Sequence, residues 1–119
     1  MRTRHLARRS LSTGDESGRG LTEVDLQRVA PLTTLLLWTV NSVYRVVIAD
    51  GPQAYVQGGD HFPSPTLAWL TGGGALGDGA AGRWISVGRP LRIRSGHHWT
   101  LTSPVIGIRA RSAADSLVH

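Results

Sequence analysis

Turn-forming residues divide the chain after Thr33 into short apolar runs. The interruptions are Asn41-Ser42, Asp50-Gly51-Pro52-Gln53, Gly58-Gly59-Asp60 and Ser95-Gly96-His97. The runs between them are rich in valine, isoleucine, leucine, threonine and aromatic residues, a composition that is typical of β-strands. The pattern predicts an all-β fold, a small antiparallel barrel or sandwich of about six strands.

The chain of 119 residues has the length of one domain, and its composition divides it into four parts. Residues 1–20 mix arginine, serine and glycine with few apolar side chains, which predicts a disordered basic N-terminal arm. Residues 21–31 are compatible with a short helix that ends at Pro31. Residues 32–108 then hold the β domain, and residues 109–119 form a polar C-terminal tail.

The chain contains no cysteine, which excludes a disulfide scaffold, a thiolate metal site and a cysteine nucleophile. No apolar run approaches the roughly 20 residues that cross a bilayer as a helix. We therefore expect a cytoplasmic protein with no membrane partner.

All 13 basic residues are arginine, against 8 acidic residues, and the formal net charge is +5. The guanidinium group pairs well with phosphate, so this composition is compatible with a nucleic-acid partner. A genome rich in GC codons would supply the same arginines without any such role. Much of the positive excess lies in residues 1–20.

The histidines suggest one alternative site. Asp60 and His61 lie in one loop and His97 and His98 at a hairpin tip, and a barrel could bring both loops to one rim. Imidazole and carboxylate groups bind zinc or iron, so a metal-dependent or small-molecule activity at this rim is the alternative function. Adjacent residues on a strand point to opposite faces, however, and His97 and His98 are poor partners for one ion. No metal ligand set is assigned.

Other catalytic patterns are incomplete. Gly72, Gly74 and Gly77 match the dinucleotide-binding spacing, but no helix-forming segment follows them. A phosphate-binding P-loop is excluded because the chain has no lysine, and the serines lack a nucleophile-elbow motif. We predict no catalytic residue and no cofactor, so the sequence favours binding over catalysis.

Arginines and aromatic residues alternate in the last strands. The two-residue period predicts that Ile85, Val87, Leu91, Ile93, Trp99 and Leu101 point inward, and that Arg92, Arg94, His98 and Thr100 point outward. The candidate nucleic-acid-binding residues are therefore Arg83, Trp84, Arg92, Arg94 and His98. Small barrels bind single strands through such a face, where bases stack on aromatic rings. The competing interpretation places the four tryptophans in the core, which contains few other aromatic residues.

Three stretches together resemble a group of small, uncharacterised bacterial proteins. They are Thr39-Val40-Asn41-Ser42-Val43-Tyr44, Trp84-Ile85-Ser86-Val87-Gly88 and Thr102-Ser103-Pro104-Val105. The resemblance covers residues 33–108 and implies a shared all-β domain without implying an activity. The short side chain of Asn41 is expected to suit a bulge or a left-handed turn.

The sequence thus predicts a non-catalytic binding module that contacts RNA or DNA through an arginine-bearing sheet face. Exposed edge strands in so small a sheet also predict association with a second copy. A purely structural or protein-interaction domain is the remaining alternative.

Overall fold

Ten β-strands form the regular structure of residues 19–72 and 82–112, the parts of the chain that the computed structural model describes. They are β1 Arg19–Leu21, β2 Glu23–Asp25, β3 Thr34–Thr39, β4 Val43–Asp50, β5 Gln53–Gly58, β6 Phe62–Thr71, β7 Trp84–Ser86, β8 Arg92–Ser95, β9 His98–Leu101 and β10 Val105–Arg111. The all-β prediction is confirmed, whereas the expected number of strands was too low. None of the described segments forms a helix that is long and apolar enough to cross a membrane.

Eight of these strands form one antiparallel sheet in the order β1-β10-β3-β4-β5-β6-β8-β9. Strands β3 to β6 follow one another as hairpins, and the chain then leaves the sheet before it returns as β8. Between β6 and β8 the chain forms β7, which pairs with β2 in a separate two-stranded sheet. No pairing among the described residues joins the outer strands β1 and β9, so of the two predicted architectures, barrel or sandwich, a closed barrel is not found.

The core lies between the inner face of the large sheet and the small sheet. Strand β4 shows the simplest pattern, because Tyr44, Val46 and Ile48 are buried while the residues between them are not. Val24 and Ile85 oppose each other across the small sheet and belong to the same buried cluster. Burial of one such side chain contributes about 1.5–3 kcal/mol, so the alternation fixes which face of each strand points inward.

The helix predicted over residues 21–31 is absent, and this expectation was wrong. The segment instead ends β1, forms β2 and turns, with the amide of Val29 donating to the carbonyl of Asp25. Val24 and Leu26 are both buried, and this spacing of two residues is the period of a strand. The large sheet therefore includes β1, before residue 32, and reaches Arg111, past residue 108. The rest of the predicted arm, residues 1–18, and of the predicted tail, residues 113–119, lies outside the described residues.

The prediction of inward side chains is right for three of the six residues named and wrong for the other three, two of which lie in β9. Ile85, Leu91 and Ile93 are buried as expected. Val87, Trp99 and Leu101 are exposed. For β9 the reason is the turn, in which only Gly96 and His97 separate the opposed residues Ser95 and His98. Trp99 consequently stands opposite Arg94, and the two side chains share the outer face.

Gly72 holds the two sheets close together. A Cβ atom at this position would lie 1.6 Å from the carbonyl oxygen of Trp84, so only glycine fits without movement of the backbone. The amide of Gly72 donates to the carbonyl of Gly82 at 2.9 Å, and the amide of Leu26 donates to that of Arg83 at 2.7 Å. These contacts fix the start of β7 against the end of β6.

Asn41 has a longer-range role than the turn residue expected from the sequence. Its side-chain amide donates to the hydroxyl of Ser103 at 2.6 Å, which ties the β3–β4 turn to the β9–β10 connection. The φ angle of Asn41 is not positive; among the described non-glycine residues only Leu32 has a positive φ. The amide of Gly88 also donates to the carbonyl of Val105, so the three stretches that carry the resemblance meet at one end of the fold.

Candidate nucleic-acid interface

Three strands at one side of the large sheet carry a row of tryptophan and arginine side chains on their outer face. Trp69 on β6 stands opposite Arg94 on β8, which in turn stands opposite Trp99 on β9. Arg92 lies two residues before Arg94 and therefore on the same face. We call Trp69, Arg92, Arg94 and Trp99 the Trp/Arg face.

The Trp/Arg face is open to solvent while its members contact one another. Trp69 is 43% exposed and Trp99 is 53% exposed, large values for indole side chains. The guanidinium of Arg92 lies 4.3 Å from the ring centroid of Trp99, and that of Arg94 lies 5.3 Å from Trp69 and 5.7 Å from Trp99. Cation–π contacts of this kind contribute about 0.5–1 kcal/mol at exposed sites and hold the side chains in place.

The Trp/Arg face carries positive charge, and no described acidic residue forms an ion pair with it. Strands β6, β8 and β9 contain no acidic residue. The guanidinium groups of Arg92 and Arg94 form no ion pair and no hydrogen bond with another described residue, so both keep their donors available. An anion that approached the face would meet two preorganised arginines.

Arg83, also a predicted site residue, is already paired. Its Nε donates to Oδ1 of Asp25 at 3.0 Å and its Nη2 donates to Oδ2 at 2.5 Å, a bidentate ion pair. The hydrogen bond from Arg83 lowers the pKa of Asp25, and the carboxylate in turn raises the pKa of Arg83. This arginine therefore anchors β2 to the start of β7.

A cleft of about 460 Å³ opens beside the Trp/Arg face, where the two sheets meet. Its lining residues are Leu26, Gln27, Pro52, Trp69, Leu70, Thr71, Gly82, Arg83, Arg92 and Trp99. The buried side chains of Leu26 and Leu70 give it an apolar floor. The cleft thus combines apolar and aromatic surface with a positively charged rim.

Two predicted site residues lie away from the Trp/Arg face. Trp84 opposes Asp25 in the small sheet and lines a second concavity with Glu23, while the guanidinium of Arg83 lies 5.4 Å from its ring. His98 is one residue from Trp99 on β9 and therefore belongs to the opposite face of the strand. Trp38 is buried, but it lies outside the main core cluster.

The rim proposed for the histidines is not assembled in the described parts of the chain. The register of β6 with β8 places Ser95 level with Ala68, six residues from Phe62. At about 3.3 Å per residue, the turn of His97 and His98 is therefore about 20 Å along β6 from Asp60 and His61. Among residues 19–72 and 82–112, no group of three or more histidine, aspartate or glutamate side chains could hold a metal ion.

The sequence indicated the arginines of this face but missed their aromatic partners. Trp69 was missed because the pairing of β6 with β8, across the intervening β7, has no local signal. Trp99 was assigned to the core because a three-residue turn, Ser95-Gly96-His97, would direct its side chain inward. The signal that could have corrected this is Gly96, whose positive φ suits the first position of a two-residue hairpin turn.

Comparisons of this chain with protein-family models, with curated proteins and with solved structures found no match. The resemblance to small bacterial all-β proteins therefore stays a prediction.

Proposed function

We propose that this protein is a non-catalytic module that binds single-stranded RNA or DNA on the Trp/Arg face. The observation that supports the proposal best is the exposure of Trp69 and Trp99 on either side of an arginine that has no carboxylate partner in the described structure. Single-strand-binding proteins stack bases on aromatic rings and neutralise the backbone with basic side chains. Both elements are present in one row across three strands.

The alternative explanation for the Trp/Arg face is purely structural. Cross-strand aromatic and arginine pairs stabilise a sheet by about 0.2–1 kcal/mol each, without any ligand. Such pairs do not require a large exposed area, however, and the two indoles leave roughly half of their surface in water. A ligand with flat apolar rings and negative charge would cover that surface and use the free guanidinium donors.

The proposal is tested by fluorescence anisotropy with labelled single strands of about ten nucleotides. Replacement of Trp99 by alanine removes one stacking surface worth about 1–3 kcal/mol, so the affinity should fall about 5-fold to 150-fold. Replacement of Arg92 by alanine should lower the dependence of log K on log salt by about 0.7, the contribution of one phosphate contact on a single strand. Titrations between about 50 and 200 mM salt measure this slope.

Arg45→Ala is the matched control. Arg45 is exposed on the outer face of β4, and β5 and β6 separate it from β8, so the variant removes the same charge from a distant part of the sheet. Its affinity and salt slope should stay close to those of the parent protein. Equal losses in Arg45→Ala and Arg92→Ala would show that binding depends on net charge alone, and the Trp/Arg face would then have no special role.

Self-association through β9 is the second part of the proposal. The amide of Thr102 donates to the carbonyl of Leu91. Hydrogen-bonded and non-hydrogen-bonded pairs alternate along an antiparallel ladder, so Ile93–Thr100 and Ser95–His98 are also hydrogen-bonded pairs. The pairs Arg92–Leu101 and Arg94–Trp99 between them are not. The backbone N–H and C=O groups of Trp99 and Leu101 therefore point away from β8. Among the described strands β9 pairs with β8 alone, and its free edge can pair with the same edge of a second copy.

An antiparallel pair centred on Thr100 would place Trp99 opposite Leu101 of the second copy, a favourable apolar contact on the outer face. Leu101→Lys adds a charge at this edge and should shift the sedimentation profile of a dimer to that of a monomer. The same variant should not lose affinity for single strands, because Leu101 stands opposite Arg92 and the added charge on this face is positive. A parent protein that remains monomeric at all concentrations tested would contradict this part of the proposal.

A further inference from the structure

We infer that the cleft beside the Trp/Arg face holds one unstacked nucleobase of the bound strand and reads its edge. The inference rests on the proposed function and adds a base-selective site to a surface that otherwise binds by stacking and charge. The cleft volume of about 460 Å³ is in the range of small-molecule sites. A nucleobase of a single strand can enter such a site, whereas a paired base must first leave its duplex at a cost of a few kcal/mol.

The floor and one side of the cleft suit a flat ring. Leu26 and Leu70 are almost completely buried and present apolar surface to the cleft, together with Pro52. Trp69 and Trp99 both line the cleft and both belong to the Trp/Arg face. A base that left the stack on the outer face would therefore stay in contact with the same two indoles.

The rim offers polar groups that are not used within the described structure. The side-chain amide of Gln27 and the hydroxyl of Thr71 make no hydrogen bond to any described residue. The backbone amide of Gln27, by contrast, donates to Oδ1 of Asp25 at 2.9 Å, which fixes the turn that carries the side chain. Glutamine and threonine can each donate to and accept from the edges of bases.

Arg92 at the rim of the cleft supplies a positive charge that is complementary to the phosphate of a nucleotide. Arg92 lines the cleft and its guanidinium lies 4.3 Å from the ring of Trp99, so it is available to the phosphate of an inserted nucleotide. Arg83 also lines the cleft, but its Nε and Nη2 atoms are held by Asp25. The net positive charge near the mouth therefore comes from Arg92 and favours a nucleotide over an uncharged aromatic ligand.

The test uses a labelled deoxyribose-phosphate strand of about ten units that is abasic throughout, and the same strand with one central adenine, cytosine or thymine. In the parent protein a single base should raise the affinity by about 5-fold to 150-fold over the fully abasic strand, and the gain should differ among the three bases. The double variant Gln27→Ala/Thr71→Val should keep its affinity for the abasic strand and lose the difference among the bases.

The matched control is Gln57→Ala/Thr66→Val, which makes the same two substitutions on β5 and β6 outside the cleft. It should retain the base-dependent gain. An equal gain for all three bases, or a gain that is unchanged in Gln27→Ala/Thr71→Val, would overturn the inference while the proposed function stands. Failure of the parent protein to bind a strand that carries all its bases would instead overturn the proposed function.

Discussion

Replacement of Gly72 by alanine should destabilise the protein more than any ordinary surface substitution. The added Cβ atom would lie 1.6 Å from the carbonyl oxygen of Trp84, 2.5 Å from its carbonyl carbon and 3.2 Å from the amide nitrogen of Ile85. Ordinary Cβ contacts are 3.4 Å or longer, so β6 and β7 would have to separate by about 1.8 Å, the difference between 3.4 and 1.6 Å. The obstacle is backbone, which cannot turn away as a flexible side chain can.

The expected cost follows from what this separation would disrupt. Overpacking in a well-packed interior costs about 1–3 kcal/mol. The hydrogen bond from the amide of Gly72 to the carbonyl of Gly82, 2.9 Å long, would weaken at a further cost of about 1 kcal/mol. We therefore expect the free energy of unfolding to fall by about 2–4 kcal/mol, a large part of the 5–15 kcal/mol that is usual for a domain.

Urea unfolding followed by far-ultraviolet circular dichroism measures this loss. The control is Gly20→Ala, because a Cβ atom at Gly20 has its nearest neighbour, Nη1 of Arg109, at 4.0 Å. This variant should stay within about 0.5 kcal/mol of the parent protein. A Gly72→Ala variant with the same small change would show that the two sheets are not held at the distance described here.

Three further predictions concern single residues. Leu32 has a φ of 69° and is 62% exposed, so Leu32→Gly should stabilise the protein by about 0.5–1 kcal/mol in urea unfolding, whereas Leu32→Val should destabilise it. Arg83 lowers the pKa of Asp25, so the stability from this pair is present above the ordinary carboxyl pKa of 3.8 and lost as the pH falls through the lower native value. Asp25→Asn should therefore show a weaker loss of stability on acidification in urea unfolding at several pH values. A double-mutant cycle of Asn41→Ala and Ser103→Ala should give a coupling energy of about 0.5–1 kcal/mol, and additive effects would contradict the hydrogen bond between them.

Local alternation is enough to identify the inner face of some strands. Tyr44, Val46 and Ile48 share one side of β4 because a single buried face favours one phase of a two-residue period. Ile93 is a similar case in β8. Ile93 is flanked by two arginines, so its inward direction follows without knowledge of the partner strands. In β4 the residues Val43 and Val47 are apolar but not buried, and the two-residue period is what separates them from the buried set.

The incorrect predictions arose where the decisive contact is distant in the sequence or depends on a single residue. Val24 lies in a strand because it pairs with Ile85, and the local sequence around it is also compatible with a helix. In the last hairpin, a turn of Gly96 and His97 alone reverses both faces of β9 relative to a turn that is one residue longer. Trp99 was therefore assigned to the core although it belongs to the candidate site.

The four indoles divide into distinct environments, which gives the protein internal optical probes. Trp38 is buried, Trp84 is half-buried and the other two, Trp69 and Trp99, are open to water beside guanidinium groups. Red-shifted emission, which is typical of water-exposed indoles, should come mainly from Trp69 and Trp99. Selective quenching of that red-shifted emission by a soluble agent, and its protection when a ligand covers the sheet, would report occupancy without any label on either molecule.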